Sequence, residues 1–209
     1  MVETDKKRSL ILEGAIKRFS HFGINKTTMA EIAEDLSVSK PALYYYFPDK
    51  QSLIVAVAHK ILTEYLENVE RVFETNPETE DALDSFIDLR KVFFQKYFML
   101  HMGEESSEAY LKDPAFSKLI KEAKEKEVSI IAESLKRGVR EGKYKQIDAE
   151  KKAALLLEVL MGLRVCVRHD RSPFPDEDTF EEILNKQKDV ANIFLNGLKD
   201  YSNAGKDIK

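Results

Sequence analysis

Lys40, Pro41, Ala42, Tyr44 and Tyr45 crowd into six positions of this 209-residue chain, and they carry its clearest chemistry. Ser39 is placed to cap a helix running through them, and Pro41 in its first turn costs nothing because first-turn amides lack intrahelical partners. A short helix presenting a lysine and tyrosines on its outer side suits a major groove about 12 Å wide. Tyrosine rings can pack on thymine methyls or sugars while their hydroxyls donate to phosphate oxygens. Tyr44, Tyr45 and Tyr46 are consecutive, so on a helix they cannot all face one side and at least one must be exposed.

The elements that must hold these side chains are legible around them. Thr28-Met29-Ala30-Glu31 has the form of a capping box, with the hydroxyl accepting from the third amide and the carboxylate reaching back to the first. It opens a short helix ending near Leu36, and Ser37-Val38-Ser39 is the three-residue turn of a helix-turn-helix. Ile32, Leu36, Val38, Leu43 and Tyr46 supply a small interior, and Ala33 offers a small side chain where two helices cross. The turn needs a left-handed residue, which Ser37 adopts at a cost of roughly 1 kcal/mol relative to glycine. Before this lies a helix from about Lys6 to Phe22, with Ile11, Leu12, Ala15, Ile16 and Phe19 at helical spacing and Gly23 as its stop. After it, Phe47-Pro48-Asp49 ends the reading helix, and Asp49 can cap a fourth running towards Phe73.

Beyond Asn76-Pro77 the spacing predicts longer helices: Asp81 to Met102, then one capped by Asp113-Pro114 and stopped by Gly142. Asp148 starts an apolar helix through Val167. The loop Arg171-Ser-Pro-Phe-Pro-Asp176 leads to a final helix from Thr179 to about Asp200, with Thr179 and Glu182 at capping-box spacing. The fold class is all-α, with eight or nine helices and no convincing strand. Sparse glycine and proline (8 and 6) agree with this.

The stretch Ile11-Leu12-Glu-Gly-Ala15, Phe19, Gly23, Thr27-Thr28-Met29, Ile32-Ala33, Val38-Ser39-Lys40, Leu43-Tyr-Tyr-Tyr-Phe47 and Lys50-Gln-Ser-Leu53 resembles the N-terminal signature of TetR-family regulators. Arg140-Glu-Gly142-Lys-Tyr144, before Asp148, is similar to that family's link into its penultimate helix. The resemblance implies about nine helices: a three-helix DNA-binding domain, placed at residues 1–50, and an effector-binding, dimerising domain at 51–209. It carries the family's DNA contacts onto Thr27, Thr28, Lys40, Pro41, Ala42, Tyr44, Tyr45, Tyr46 and Lys50. Capping threonines and a lysine at a helix start suit phosphates.

The resemblance also implies a small-molecule cavity. Phe94, Tyr97, Phe98, Met102, Tyr110, Phe116, Leu163 and Cys166 are the expected lining for a largely apolar effector, with Arg90 and Arg164 as candidates to hold a carboxylate. A protein partner is the alternative occupant of that domain. The last two helices are expected to form a four-helix homodimer interface through Ala153, Ala154, Leu157, Leu160, Met161, Phe180, Ile183, Val190, Ile193 and Phe194. The partners expected are therefore double-stranded DNA, a second copy and an effector, with no cofactor.

Other chemistries find little support. Cys166 is the one cysteine, which excludes an intrachain disulfide and a four-cysteine zinc site. His101 with Glu104 and Glu105 is too small a set to argue for a metal, and no phosphate-cradling glycine loop or nucleophile with a base is present. The run Lys121 to Glu127 reads as a solvated helix face with i,i+4 ion pairs. No early apolar stretch precedes a cleavage site, and no segment approaches the ~18 apolar residues of a membrane helix, so a soluble cytoplasmic protein is expected. Net charge is −4, but residues 1–50 hold eight Lys/Arg against seven Asp/Glu. That asymmetry matters only if the cations share a face.

Overall fold

The computed structural model describes residues 2–97, 113–169 and 177–201, with side chains over 6–97, 113–163 and 177–201. Eight α-helices lie among the described residues: α1 Val2–Phe22, α2 Met29–Asp35, α3 Lys40–Tyr46, α4 Lys50–Thr75, α5 Thr79–Lys96, α6 Pro114–Arg140, α7 Ala149–His169 and α8 Glu177–Leu198. The only extended pairing among them is one isolated antiparallel bridge, Tyr144 with Lys199. The chain divides into two compact units, residues 1–65 with 93–123 and residues 66–92 with 124–209. The boundary expected at residue 50 is the start of α4, inside the first unit.

The first unit is built on α1 to α4. Ile11, Leu12, Ala15 and Phe19 of α1, Met29, Ile32 and Ala33 of α2, Leu43 and Phe47 at α3, and Leu53, Ile54 and Val57 of α4 form one buried cluster. Leu36, Val38, Tyr46 and Phe116 pack partly buried against it. Gly14 of α1 lies close to Leu36 just past α2: a Cβ there would stand 2.6 Å from Leu36 Cδ2, so that side chain would have to move aside. Gly23 ends α1 at φ +80°, and its amide donates to Phe19 O at 2.9 Å. Asp49 caps α4 by accepting from the Ser52 amide at 2.6 Å.

In the second unit α7 packs on α8, and the buried Gln187 side chain donates to Leu160 O at 2.6 Å. Arg90 of α5 holds Glu127 of α6 at 2.6 Å, while Lys91 reaches Glu177 and Glu181 and Asp88 reaches Lys188.

Several expectations change. Thr179 does not cap the last helix: α8 begins at Glu177, where acidic first-turn side chains favour the helix N-terminus, and Thr179 lies buried in its first turn. Glu127 is not part of a solvated face but is buried against Arg90, and Lys124 and Lys126 pair across helices with Glu158 and Glu70. Helix α1 starts earlier than Lys6. The segment through Phe98, Met102 and Tyr110, the group His101, Glu104 and Glu105, and the loop from Arg171 to Asp176 lie outside the described residues, as do the Arg164 and Cys166 side chains.

Ser37 is exposed and sits at φ +54°, the left-handed conformation that glycine adopts without strain. Ser37→Gly should stabilise the fold by about 0.5–1 kcal/mol, seen as a rise in melting temperature of a few degrees. An unchanged or lower midpoint would show that the turn carries no such strain.

Candidate nucleic-acid interface

The reading surface starts from two capped short helices. Thr28 caps α2 with both halves of its box closed: the Glu31 amide donates to Thr28 Oγ1 at 3.3 Å, and the Thr28 amide donates to Glu31 Oε2 at 2.7 Å. Ser39 caps α3 by accepting from the Ala42 amide at 3.3 Å. Between them the chain turns through Ser37, with the Val38 amide donating to Ala33 O at 2.9 Å.

Glu31 does a second job. Its Oε1 lies 3.0 Å from Arg18 Nη2, and Arg18 Nη1 lies 2.6 Å from Asp35 Oδ2, so one guanidinium on α1 grips both ends of α2. The Thr28 hydroxyl and amide, then burial-opposed attraction from Arg18, hold the Glu31 carboxyl below its ordinary pKa. The hydrogen bond to Asp35 raises that of Arg18. This clamp fixes α2 on α1, and through the three-residue turn it fixes the direction of α3.

On α3 the consequence is a face. Leu43 is buried, Tyr46 is half-buried with its ring edge-on to Tyr45 at 5.2 Å, and Tyr45 is 78% and Tyr44 47% exposed. Lys40 and Pro41 are exposed beside them, Ala42 is half-buried, and Lys50 opens α4 next to the end of α3. Burial lowers the Lys50 pKa, with the Glu31 charge acting the other way. These side chains can offer a major groove two aromatic rings with hydroxyls, an aliphatic ring and two ammonium groups.

Thr27 differs from its expected place. It is 1% exposed, and its hydroxyl donates to Gly23 O at 2.9 Å, tying the loop after α1 to that helix end. Thr28 is exposed, but its hydroxyl proton is committed to Glu31 Oε2 at 2.8 Å. A phosphate at the start of α2 would therefore take that proton in competition with Glu31. Arg18, which orients the motif, has no local sequence signal, since its partners lie 13 and 17 residues away.

Of the residues expected to line an effector cavity, the described ones divide between the two units. Tyr97 is buried in the first unit against Phe93, whose ring also meets Tyr65 at 5.2 Å. Lys96 Nζ stands 5.0 Å from the Tyr97 ring centre, and Phe94 is half-buried. Phe116 packs on the helix-turn-helix cluster instead. Leu163 belongs to the second unit and is half-buried. The Arg90 guanidinium is occupied by Glu127.

A capped helix-turn-helix with an exposed tyrosine-lysine reading face defines a DNA-binding protein. The family model for bacterial regulatory proteins of the tetR family matches residues 11–57. A transcriptional regulator from Cytophaga hutchinsonii ATCC 33406 is 30% identical, with the similarity covering 93% of this chain and 99% of that one at a TM-score of 0.82. The chain therefore belongs to the TetR family of transcriptional regulators. The HTH-type transcriptional regulator YhgD of Bacillus subtilis (strain 168) is 26% identical over 182 residues, 85% of this chain and 92% of that protein. A putative transcriptional regulator from Saccharomonospora viridis, solved in complex with choline, shares the fold at a TM-score of 0.72 and 18% identity, covering 90% of this chain and 96% of that one.

The lowered Glu31 pKa carries a pH signature. A carboxylate whose folded pKa lies below its unfolded value adds stability above the unfolded value and loses it as pH falls through the folded one. The difference in stability between the native chain and Glu31→Gln should thus be constant above about pH 5 and shrink on acidification. Denaturant titrations giving a pH-independent difference would contradict the assigned role.

Proposed function

We propose that this regulator is a ligand-responsive repressor that binds a palindromic operator as a homodimer, with Lys40, Pro41, Ala42, Tyr44, Tyr45 and Tyr46 entering the major groove and Lys50 meeting phosphate. The observation that carries this reading is the exposure of Tyr44 and Tyr45 on a helix whose inner side is anchored by Leu43. A large aromatic side chain left in water on a rigid, capped helix is surface in want of a partner, and base edges and sugars suit it. Thr28 belongs to the same set through its exposed position at α2, whereas Thr27 acts from inside as a staple.

The homodimer reading rests on α7 and α8. Ala153, Leu157 and Leu160 are buried within their own chain, as are Phe180 and Ile183, so they cannot form the interface themselves. The outward apolar side chains are Leu155, Val159 and Met161 on α7 and Ile193, 72% exposed, on α8. A second copy packing the same two helices would cover them in a four-helix arrangement. Two copies would then present paired reading heads to successive major grooves about 34–36 Å apart.

Ligand responsiveness draws on the aromatic content of residues 80–170 and on the choline complex of a protein with this fold. The effector would be a largely apolar molecule near Phe94, Tyr97 and Phe116 of the first unit. It would release DNA by favouring a conformation whose reading heads no longer match two grooves.

Two measurements check this. Gel shifts on a duplex enriched from a randomised pool should show Lys50→Ala weakening all sequences alike and flattening the salt dependence by about 0.9 per subunit, while Tyr45→Ala also narrows the preference over mixed-sequence DNA. Normal selectivity in Tyr45→Ala, or an unchanged slope in Lys50→Ala, would count against these roles. Light scattering at micromolar concentration should give a dimer, and Ile193→Lys a monomer that keeps its helical content. A monomeric native chain would rule out the proposed interface.

A further inference from the structure

Arg8 stands outside everything assigned so far. It lies on α1, yet its guanidinium carbon sits 5.1 Å from the centre of the Phe47 ring, at the C-terminal cap of α3. Phe47 is 1% exposed while Arg8 is exposed, so the guanidinium is the layer between a buried ring and water. A guanidinium attracted to an aromatic face keeps its N–H edge available and loses little freedom when that edge finds an oxygen. Lys6 and Lys7 precede it, both exposed, and Lys50 follows Phe47 by three residues on the other side of the turn. The nearest carboxylate in sequence to that turn, Asp49, is occupied in capping α4 through the Ser52 amide.

We propose that Arg8, seated on Phe47, is a DNA-phosphate contact that extends the reading surface past the end of α3, so that α1 binds DNA as well as supporting the motif. The inference rests on the DNA-binding reading of α3. The phosphate it meets flanks the one assigned to Lys50, because the ring that seats Arg8 belongs to Phe47, three residues before Lys50. A cation–π seat holds the guanidinium in position before DNA arrives, which turns a flexible surface charge into a fixed donor pair for a phosphate's two free oxygens.

The test uses the full chain with two 30-base-pair duplexes, one enriched from a randomised pool and one of mixed sequence, at salt concentrations from 50 to 200 mM. Arg8→Ala should weaken binding to both duplexes by the same factor and lower the slope of log affinity against log salt by about 0.9 per subunit. Arg8→Lys keeps the charge and should keep the slope, with weaker binding from the lost planar fork. An unchanged slope in Arg8→Ala overturns the proposal. So does an equal loss of slope in Arg8→Lys, which marks a packing role, or a loss confined to the enriched duplex, which marks a base contact. Thermal melts without DNA separate unfolding from lost contact, and Arg8→Lys carries the test if Arg8→Ala does not fold. Failure of the native chain to bind either duplex strikes at the α3 reading instead.

Discussion

The placement of the recognition helix leans on one carboxylate. Glu31 closes the cap of α2 through Thr28 and holds Arg18 of α1, so it fixes where α2 begins and how α2 lies on the helix beneath it. Helix α3 is only seven residues long and buries a single side chain of its own, Leu43. Such a helix has little intrinsic stability, and its direction is inherited from α2 through the turn at Ser37. An ion pair at a partly exposed site contributes little by itself, but here it is joined to a capping box and a second pair with Asp35. Geometry, more than energy, is what the junction supplies.

The same economy shapes the surface. Thr27 and Thr28 are adjacent and alike, yet one is buried with its hydroxyl on Gly23 O and the other is exposed with its proton on Glu31. The groups we propose to meet DNA are ones the scaffold does not use for capping or for the core: the Tyr44 and Tyr45 rings, Lys40, Lys50 and, beside Phe47, Arg8. The tyrosines stand on the helix that the buried Leu43 anchors, Arg8 stands on the Phe47 ring, and Lys50 follows the Asp49 cap of α4. Sequence preference can then come from the tyrosines while affinity comes from the cations. In the second unit a parallel logic holds, since Arg90 is spent on Glu127 and the buried Gln187 on a main-chain carbonyl, leaving apolar side chains of α7 and α8 to face outward.

The sequence disclosed what is local. The capping box at Thr28, the left-handed Ser37, the stops at Gly23 and Gly142 and the exposed tyrosines all follow from spacing over a few residues, and the structure has them. Among the described residues, no helix is long and apolar enough to cross a membrane. Contacts between distant residues were illegible. Arg18 reaches Glu31 and Asp35, Arg8 reaches Phe47 and Arg90 reaches Glu127, and no periodicity announces any of them. Thr179 shows the opposite error, a local pattern overridden because helix α8 starts two residues earlier and buries it. On α7 both faces are apolar, so pattern alone could not tell Leu157, turned inward, from Leu155 and Val159, turned outward.

We propose that two copies of one reading head confront DNA together. Sequencing a randomised duplex pool after repeated rounds of binding to the full chain tests it most directly. An inverted repeat whose half-sites are centred about one helical turn, or a multiple of it, apart should be enriched. Enrichment of a lone half-site, or none over the starting pool, would contradict it.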